Sequence, residues 1–295
     1  MFIEQGRKGN NQFYLYLLTI LICITGFVSF QLYLLENITI KEADANQTLF
    51  IALLPFSIVI FLLLFNVSTL HRRPFASLFN TIERYRIKRF LVGFGVWFIL
   101  LALGDLAYHY FLQGEYHFNL NWNKFGSLLL ISISLFPIQT LAEELFFRSY
   151  ILQGLGNIFN KAIYSIVLSS IFFMLMHIAN PEVEKFGYSL MCLFYLISGI
   201  FLASITVLDD GVEQSHGIHT ATNIYGAVLI NYEGSALNTD SLWKINNPSG
   251  LIMVVLSFIT MILYFIFSKK LYNLKKINSL FHEFILPKAE VKDQA

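Results

Sequence analysis

Leu141-Ala142-Glu143-Glu144-Leu145-Phe146-Phe147-Arg148 sets two adjacent carboxylates and a guanidinium inside a long apolar run. An ion placed centrally in a membrane helix costs roughly 2.5–3.5 kcal/mol on insertion scales, so such groups have partners nearby and usually a function. Two other stretches supply polar partners within apolar sequence: Phe173 to His177, and His216 to Asn223. These three pieces organise the reading of the whole chain.

Of 295 residues, 56% are hydrophobic and 13% charged, about half the charge of a soluble domain. The apolar residues form continuous blocks near or above the ~20 needed to cross a bilayer. That pattern predicts an all-α polytopic integral membrane protein and excludes a β-barrel of short alternating strands. The spacing predicts about eight transmembrane helices: residues 13–35, 48–65, 90–112, 125–153, 162–178, 188–208, 216–232 and 251–267. The chain then divides into N-terminal helices (1–124, with a basic loop 71–89), a central core (125–232), and a last helix with a basic tail (233–295). A net charge of +1 gives no nucleic-acid footprint, and Cys23 and Cys192 fall in separate blocks as small packing residues.

Basic loops stay in the cytoplasm. Arg7 and Lys8, then Arg72, Arg73, Arg84, Arg86, Lys88 and Arg89, then Lys269, Lys270, Lys275 and Lys276 place both termini inside a membrane read as a bacterial plasma membrane. The loop with Glu36, Lys41, Glu42 and Asp44 reads as external. Asp209, Asp210 and Glu213 sit on the inner side against the trend, although acids weigh little in this rule. The tail beyond Tyr272, with Lys275, Lys276, Phe281 and Phe284, reads either as a surface helix or as a solvated tail.

A hairpin turning near Asn160 brings the three polar pieces together. Glu143 and Glu144 lie about sixteen residues before it and His177 about seventeen after, so at ~1.5 Å per residue they share one depth. Pro137 offers a kink in the long fourth helix. Glu144 and Arg148 are i and i+4 and can pair, while Glu143 points about 100° away, towards another partner. A desolvated carboxylate suits general-base work near neutral pH, with a histidine to share its proton. Histidine and asparagine can stabilise an oxyanion. Ser149 and Ser215 read as packing or capping groups, and Asp105 with His109 as a wet interfacial pair. His216 reads as an extra donor or, preferably, a helix-start residue.

Glu143-Glu144-Leu-Phe-Phe-Arg148 resembles the E-E-x-x-x-R motif of the CPBP (CAAX protease and bacteriocin-processing, or Abi) intramembrane proteases. Phe173 to His177 resembles their F-x-x-x-H motif, and His219 to Asn223 their H-x-x-x-N motif. The resemblance covers roughly 125–232 and departs at Ser149, where many members have glycine. It implies an intramembrane endopeptidase acting on a peptide or membrane-protein substrate, as type II CAAX prenyl endopeptidases act on prenylated proteins. The substrate would arrive from the bilayer or its cytoplasmic edge. Glu143, Glu144 and His177 would activate water, His219 and Asn223 would hold the oxyanion, and Arg148 and Phe173 would support them. A bound Zn²⁺ stays open, with Glu144, His177 and His219 as candidate ligands; no other cofactor is implied. The alternatives are a non-proteolytic bacteriocin-immunity scaffold of the same fold and a transporter or proton relay.

Overall fold

The computed structural model describes residues 1–38, 44–159 and 161–283. Lys41 and Glu42 of the first loop, the turn residue Asn160 and Phe284 of the tail lie outside the described residues. Among those described, six helices are long and apolar enough to cross a membrane, and the protein is an all-α polytopic membrane protein. They are α1 (Phe13–Asn37), α2 with α3 (Ala45–Leu53, Phe56–Thr69), α4 (Ile87–Phe111), and α5 (Trp122–Glu143), which continues to Leu155. Helices α9 and α11 below complete the six. Large apolar side chains such as Leu21, Phe61, Ile99 and Ile133 are exposed on the outside of the bundle. Exposure of this kind is what a lipid-facing surface requires.

The fourth helix departs from α geometry after its carboxylates, not at its proline. It runs through Pro137, then Glu144–Ile151 forms a π-helical stretch before the short α6 (Leu152–Leu155). Helices α7 (Ala162–His177), α8 (Pro181–Phe186) and α9 (Tyr188–Leu208) follow. Next come α10 (Glu213–Ile224), a second π stretch (Tyr225–Leu229), and α11 (Gly250–Tyr272). Expected spans five and seven are shorter than the other spans. Span five is α7, 16 residues long. Span seven starts earlier, at Glu213, and ends in extended backbone at Ile230.

α10 is too polar to meet lipid, since its sequence is Glu-Gln-Ser-His-Gly-Ile-His-Thr-Ala-Thr-Asn-Ile. It survives by being enclosed, packed against α4, α5 and α9. Two glycines let α4 and α10 approach. A Cβ on Gly217 would lie 2.3 Å from the Phe90 carbonyl oxygen, and one on Gly93 2.8 Å from that of Gln214. Gln214 in turn accepts hydrogen bonds from Tyr264 (2.9 Å) and Ser268 (2.6 Å), which fasten α11 to the same helix.

The two ends of the bundle differ in chemistry. One gathers the N-terminus, residues 70–90, the 153–157 segment, the α9–α10 turn and the end of α11. Its acids are counterions to its bases, which explains the acidic turn. Arg86 bridges Asp209 (3.1 Å) and the fully buried Glu213 (2.5 Å), Arg89 reaches Asp209 (2.8 Å), and Lys275 holds Asp210 (2.6 Å). Burial outweighs these cations and holds the Asp209 carboxyl above its ordinary value. Arg86→Ala strands the Glu213 carboxylate, and breaking a buried pair costs about 3–5 kcal/mol. We therefore expect a clear fall in thermal unfolding temperature in detergent; a variant melting with wild type would show that Asn80 and solvent suffice for Glu213.

The opposite end carries a three-stranded sheet that the apolar patterning did not signal. β1 (Glu115–Phe118) pairs antiparallel with β3 (Trp243–Asn246), with Glu115 opposite Asn246, and β3 pairs parallel with β2 (Ile230–Asn231). Asp105 and His109 do not form a pair. Asp105 accepts from Tyr116 (2.6 Å) and Tyr225 (2.7 Å), tying α4 to β1 and to the second π stretch, and His109 donates to the Gly114 carbonyl (3.0 Å).

Candidate active site

The π stretch turns the Glu143–Arg148 segment into α10. Glu144, fully buried, accepts from His219 Nδ1 at 2.9 Å, and Arg148 Nη1 lies 3.4 Å from the same carboxylate oxygen. The expected i, i+4 pair is therefore present, with His219 as a third member. The Arg148 guanidinium rests over the Phe173 ring at 3.9 Å, so Phe173 holds the cation by its π face while Phe147 packs edge-on against the ring.

Glu143 turns to the other side. Its Oε1 accepts from Gln139 Nε2 at 2.5 Å, and its Oε2 lies 3.7 Å from His219 Nε2 without a hydrogen bond. His219 thus stands between the two carboxylates. Its Nδ1 must donate to Glu144, because a carboxylate only accepts. A neutral ring then presents a lone pair at Nε2 towards Glu143. That approach calls for one proton on either group or a water between them.

His177 shares the chamber but makes no bond to either glutamate. Its Nδ1 donates to the Phe173 carbonyl at 2.7 Å, which fixes the tautomer and leaves Nε2 with the lone pair when the ring is neutral. Its ring stacks on Phe173 at 4.2 Å and on Tyr195 at 4.9 Å. Asn223 Nδ2 donates to Gln139 Oε1 at 2.8 Å. The sequence reading missed Gln139, which links Asn223 to Glu143. The available signal was a glutamine one helical turn before Glu143 on the same face.

The remaining motif residues are structural. His216 takes up both ring nitrogens, Nε2 donating to the Pro137 carbonyl (2.9 Å) and Nδ1 accepting from Tyr85 (2.7 Å). With both nitrogens taken it is not an extra donor to the chamber; it is itself buried in the first turn of α10, against the half-buried Tyr85 and Pro137. Ser149 donates to the Leu78 carbonyl (2.6 Å) and Ser215 to that of Val212 (2.8 Å). Cys23 and Cys192 are free thiols.

Glu143, His177, His219, Asn223 and Gln139 line one cavity of about 750 Å³ whose other walls are mostly apolar. Its lining runs along α1, α3, α4, α9 and α11 to Glu182 and to residues 230–237, at the sheet-capped end. At the basic end the chain is packed shut by Phe2, Leu78, Tyr150 and Leu152, all fully buried.

The candidate zinc ligands do not fit a metal. Among the described residues no group of three or more His, Cys, Asp or Glu is arranged to hold one. Glu144 is already engaged by His219 and Arg148, and a buried guanidinium beside a carboxylate opposes a second cation there.

Residues 124–225 match the family described as "Type II CAAX prenyl endopeptidase Rce1-like". The matched segment is similar to that family. It holds every member of the glutamate, arginine and histidine cluster described above, along with Asn223 and Gln139. The chain is also similar to the uncharacterized protein YyaK of Bacillus subtilis (strain 168), 29% identical over 165 residues. The alignment covers 56% of this chain and 55% of YyaK, so the chain spans little more than half the length of that relative. No solved structure matches the chain.

Proposed function

We propose that this protein is an intramembrane endopeptidase of the CAAX type. One observation carries the reading: Glu143, a histidine (His219) anchored from behind by the buried Glu144, and a second histidine of fixed tautomer line one largely apolar cavity inside a membrane bundle. Water held between Glu143 and His177 attacks the scissile carbonyl carbon, and Glu143 takes its proton. The oxyanion accepts hydrogen bonds from the Asn223 amide and from His219 Nε2, which carries the one proton that the Glu143–His219 approach calls for before water attacks and keeps it throughout. As the C–N bond breaks, Glu143 returns the proton to the leaving amine, so one peptide and one water give an acid and an amine. Arg148, Phe173 and Gln139 position these groups and touch no reacting atom.

The substrate is a membrane-associated or lipidated peptide whose apolar part fills the cavity. The basic end faces the cytoplasm, with both termini on that side of a bacterial plasma membrane, by the excess of Lys and Arg there. The cavity then occupies the outer half of the bundle and is reached from the bilayer or the outer face. A proton relay or transporter needs a polar path to both faces, and the packed basic end supplies none.

The test is cleavage by purified full-length protein of a panel of membrane-tethered peptides, prenylated and unmodified, read by mass spectrometry. We expect hydrolysis that persists with a strong chelator and falls about 10²–10⁴-fold in His177→Ala, the range of a general acid–base contribution. Chelator loss restored by Zn²⁺ would overturn the metal-free step. Undiminished resistance to a peptide toxin conferred by His177→Ala or Glu143→Gln in cells, with no cleavage in vitro, would point to an immunity scaffold.

A further inference from the structure

The same cavity holds a second carboxylate that the proposed hydrolysis does not use. Glu182, on α8, lines the cavity and is 8% exposed. Its Oε1 accepts from the Ala236 backbone N–H at 2.7 Å, whereas its Oε2 is buried without a hydrogen-bond partner. Among the described residues no salt bridge reaches Glu182. Lys185, one turn further on, is turned away: its amine is hydrogen-bonded to the Glu233 carbonyl and lies over the Tyr232 ring at 5.1 Å.

Nearby groups are neutral and polar. Asn180 donates to the Tyr195 hydroxyl at 3.1 Å, and both residues line the cavity beside Glu182. Burial pushes the Tyr232 phenol above its ordinary range, and the Glu182 carboxylate adds to the shift. Among the described residues no cation forms a salt bridge with this carboxylate. A buried carboxylate oxygen left unpaired is costly, and a ligand bringing a charged donor relieves that cost best.

We infer that Glu182 forms a recognition subsite for a cationic group, an alkylammonium or guanidinium, carried by a ligand whose apolar portion fills the cavity. Joined to the proposed hydrolysis, on which this last step rests, it selects substrates with a basic residue or free amine beyond the scissile bond. That cation sits at the sheet-capped end of the bundle. The occupant thus combines a hydrocarbon stretch with one positive charge at its end.

Binding can be measured apart from catalysis. Full-length protein in detergent is titrated with dodecylamine, which is protonated at neutral pH, and with dodecanol of equal chain length. We expect wild type and the Glu143→Gln variant to bind the amine about tenfold or more tightly than the alcohol, the scale of a charge-assisted hydrogen bond. Glu182→Gln should abolish that preference and keep its affinity for the alcohol, which also reports an intact cavity. A dodecylamine bearing a photoreactive diazirine beside its nitrogen, used on wild type, should label residues near Glu182 such as Tyr195 and Tyr232. Preference unchanged in Glu182→Gln, or labelling centred on Glu143 and His219, would overturn the subsite. If the amine preference depends on Glu182 but no peptide is cleaved, the subsite stands and the hydrolase reading fails; cleavage with an indifferent Glu182 gives the reverse.

Discussion

Glu144→Leu is expected to destabilise the fold as well as stop hydrolysis. The Glu144 side chain is fully buried, and it is the carboxylate that meets Arg148 (3.4 Å) and His219 (2.9 Å). Its removal leaves an Arg148 guanidinium 1% exposed, with the Phe173 ring as its neighbour. Stranding a buried charge costs about 3–5 kcal/mol, a large share of a typical stability of about 5–15 kcal/mol. Thermal unfolding in detergent should therefore fall sharply for Glu144→Leu, and equally for Arg148→Met. The combined Glu144→Leu/Arg148→Met variant should recover most of the loss, because apolar replacements of a buried pair are often neutral or stabilising. It should remain inactive, since His219 then loses the acceptor that fixes its tautomer. If the double variant is as unstable as either single one, the pair does not act as a unit and the interpretation of Arg148 as a positioning group fails.

The sequence disclosed this cluster because intramembrane charge is rare enough to be informative residue by residue. Glu143, Glu144, Arg148, His177 and His219 stand out against leucine and phenylalanine, and helix length set them at comparable depth. Spacing also showed that the two glutamates diverge, which they do: Glu144 turns to Arg148, and Glu143 to Gln139. Span α9 was legible to the residue, as an unbroken apolar run bounded by Gly187 and Asp209.

The rest was hidden for physical reasons. A π-helical stretch widens the helix through one displaced hydrogen-bond pattern, and nothing in Glu144–Ile151 encodes it by composition. Gln139 carries no charge, so one amide in an apolar helix does not stand out from ordinary interhelical hydrogen-bonding groups. Glu182 lies where a loop acid is expected to be solvated, and only the fold of 230–237 over it shows that it is buried. The acids at 209–213 looked anomalous until Arg86, Arg89 and Lys275, over a hundred and sixty residues apart along the chain at their extremes, proved to be their partners. Such pairings are long-range, and no local pattern reports them.

Glu143→Gln should show the opposite signature to its neighbour. Glu143 lies on the cavity wall, 12% exposed, and only one of its oxygens is hydrogen-bonded. Glutamine keeps an acceptor for Gln139 and offers an N–H where Oε2 faces His219 Nε2. A neutral His219 ring then faces that N–H, so the 3.7 Å approach no longer calls for an added proton or a water between the two groups. Stability should therefore hold within about 1 kcal/mol of wild type or rise, as is common where function maintains an unfavourable arrangement. Hydrolysis of a responsive peptide should fall about 10²–10⁴-fold, because an amide cannot take the proton of the attacking water. The discriminating readout is the two assays together. Loss of activity at unchanged stability assigns the base to Glu143 and leaves Glu144 as the anchor of Arg148 and His219. Retention of activity within tenfold would move the base to Glu144 or His177, and would require His219 to release Glu144 during turnover.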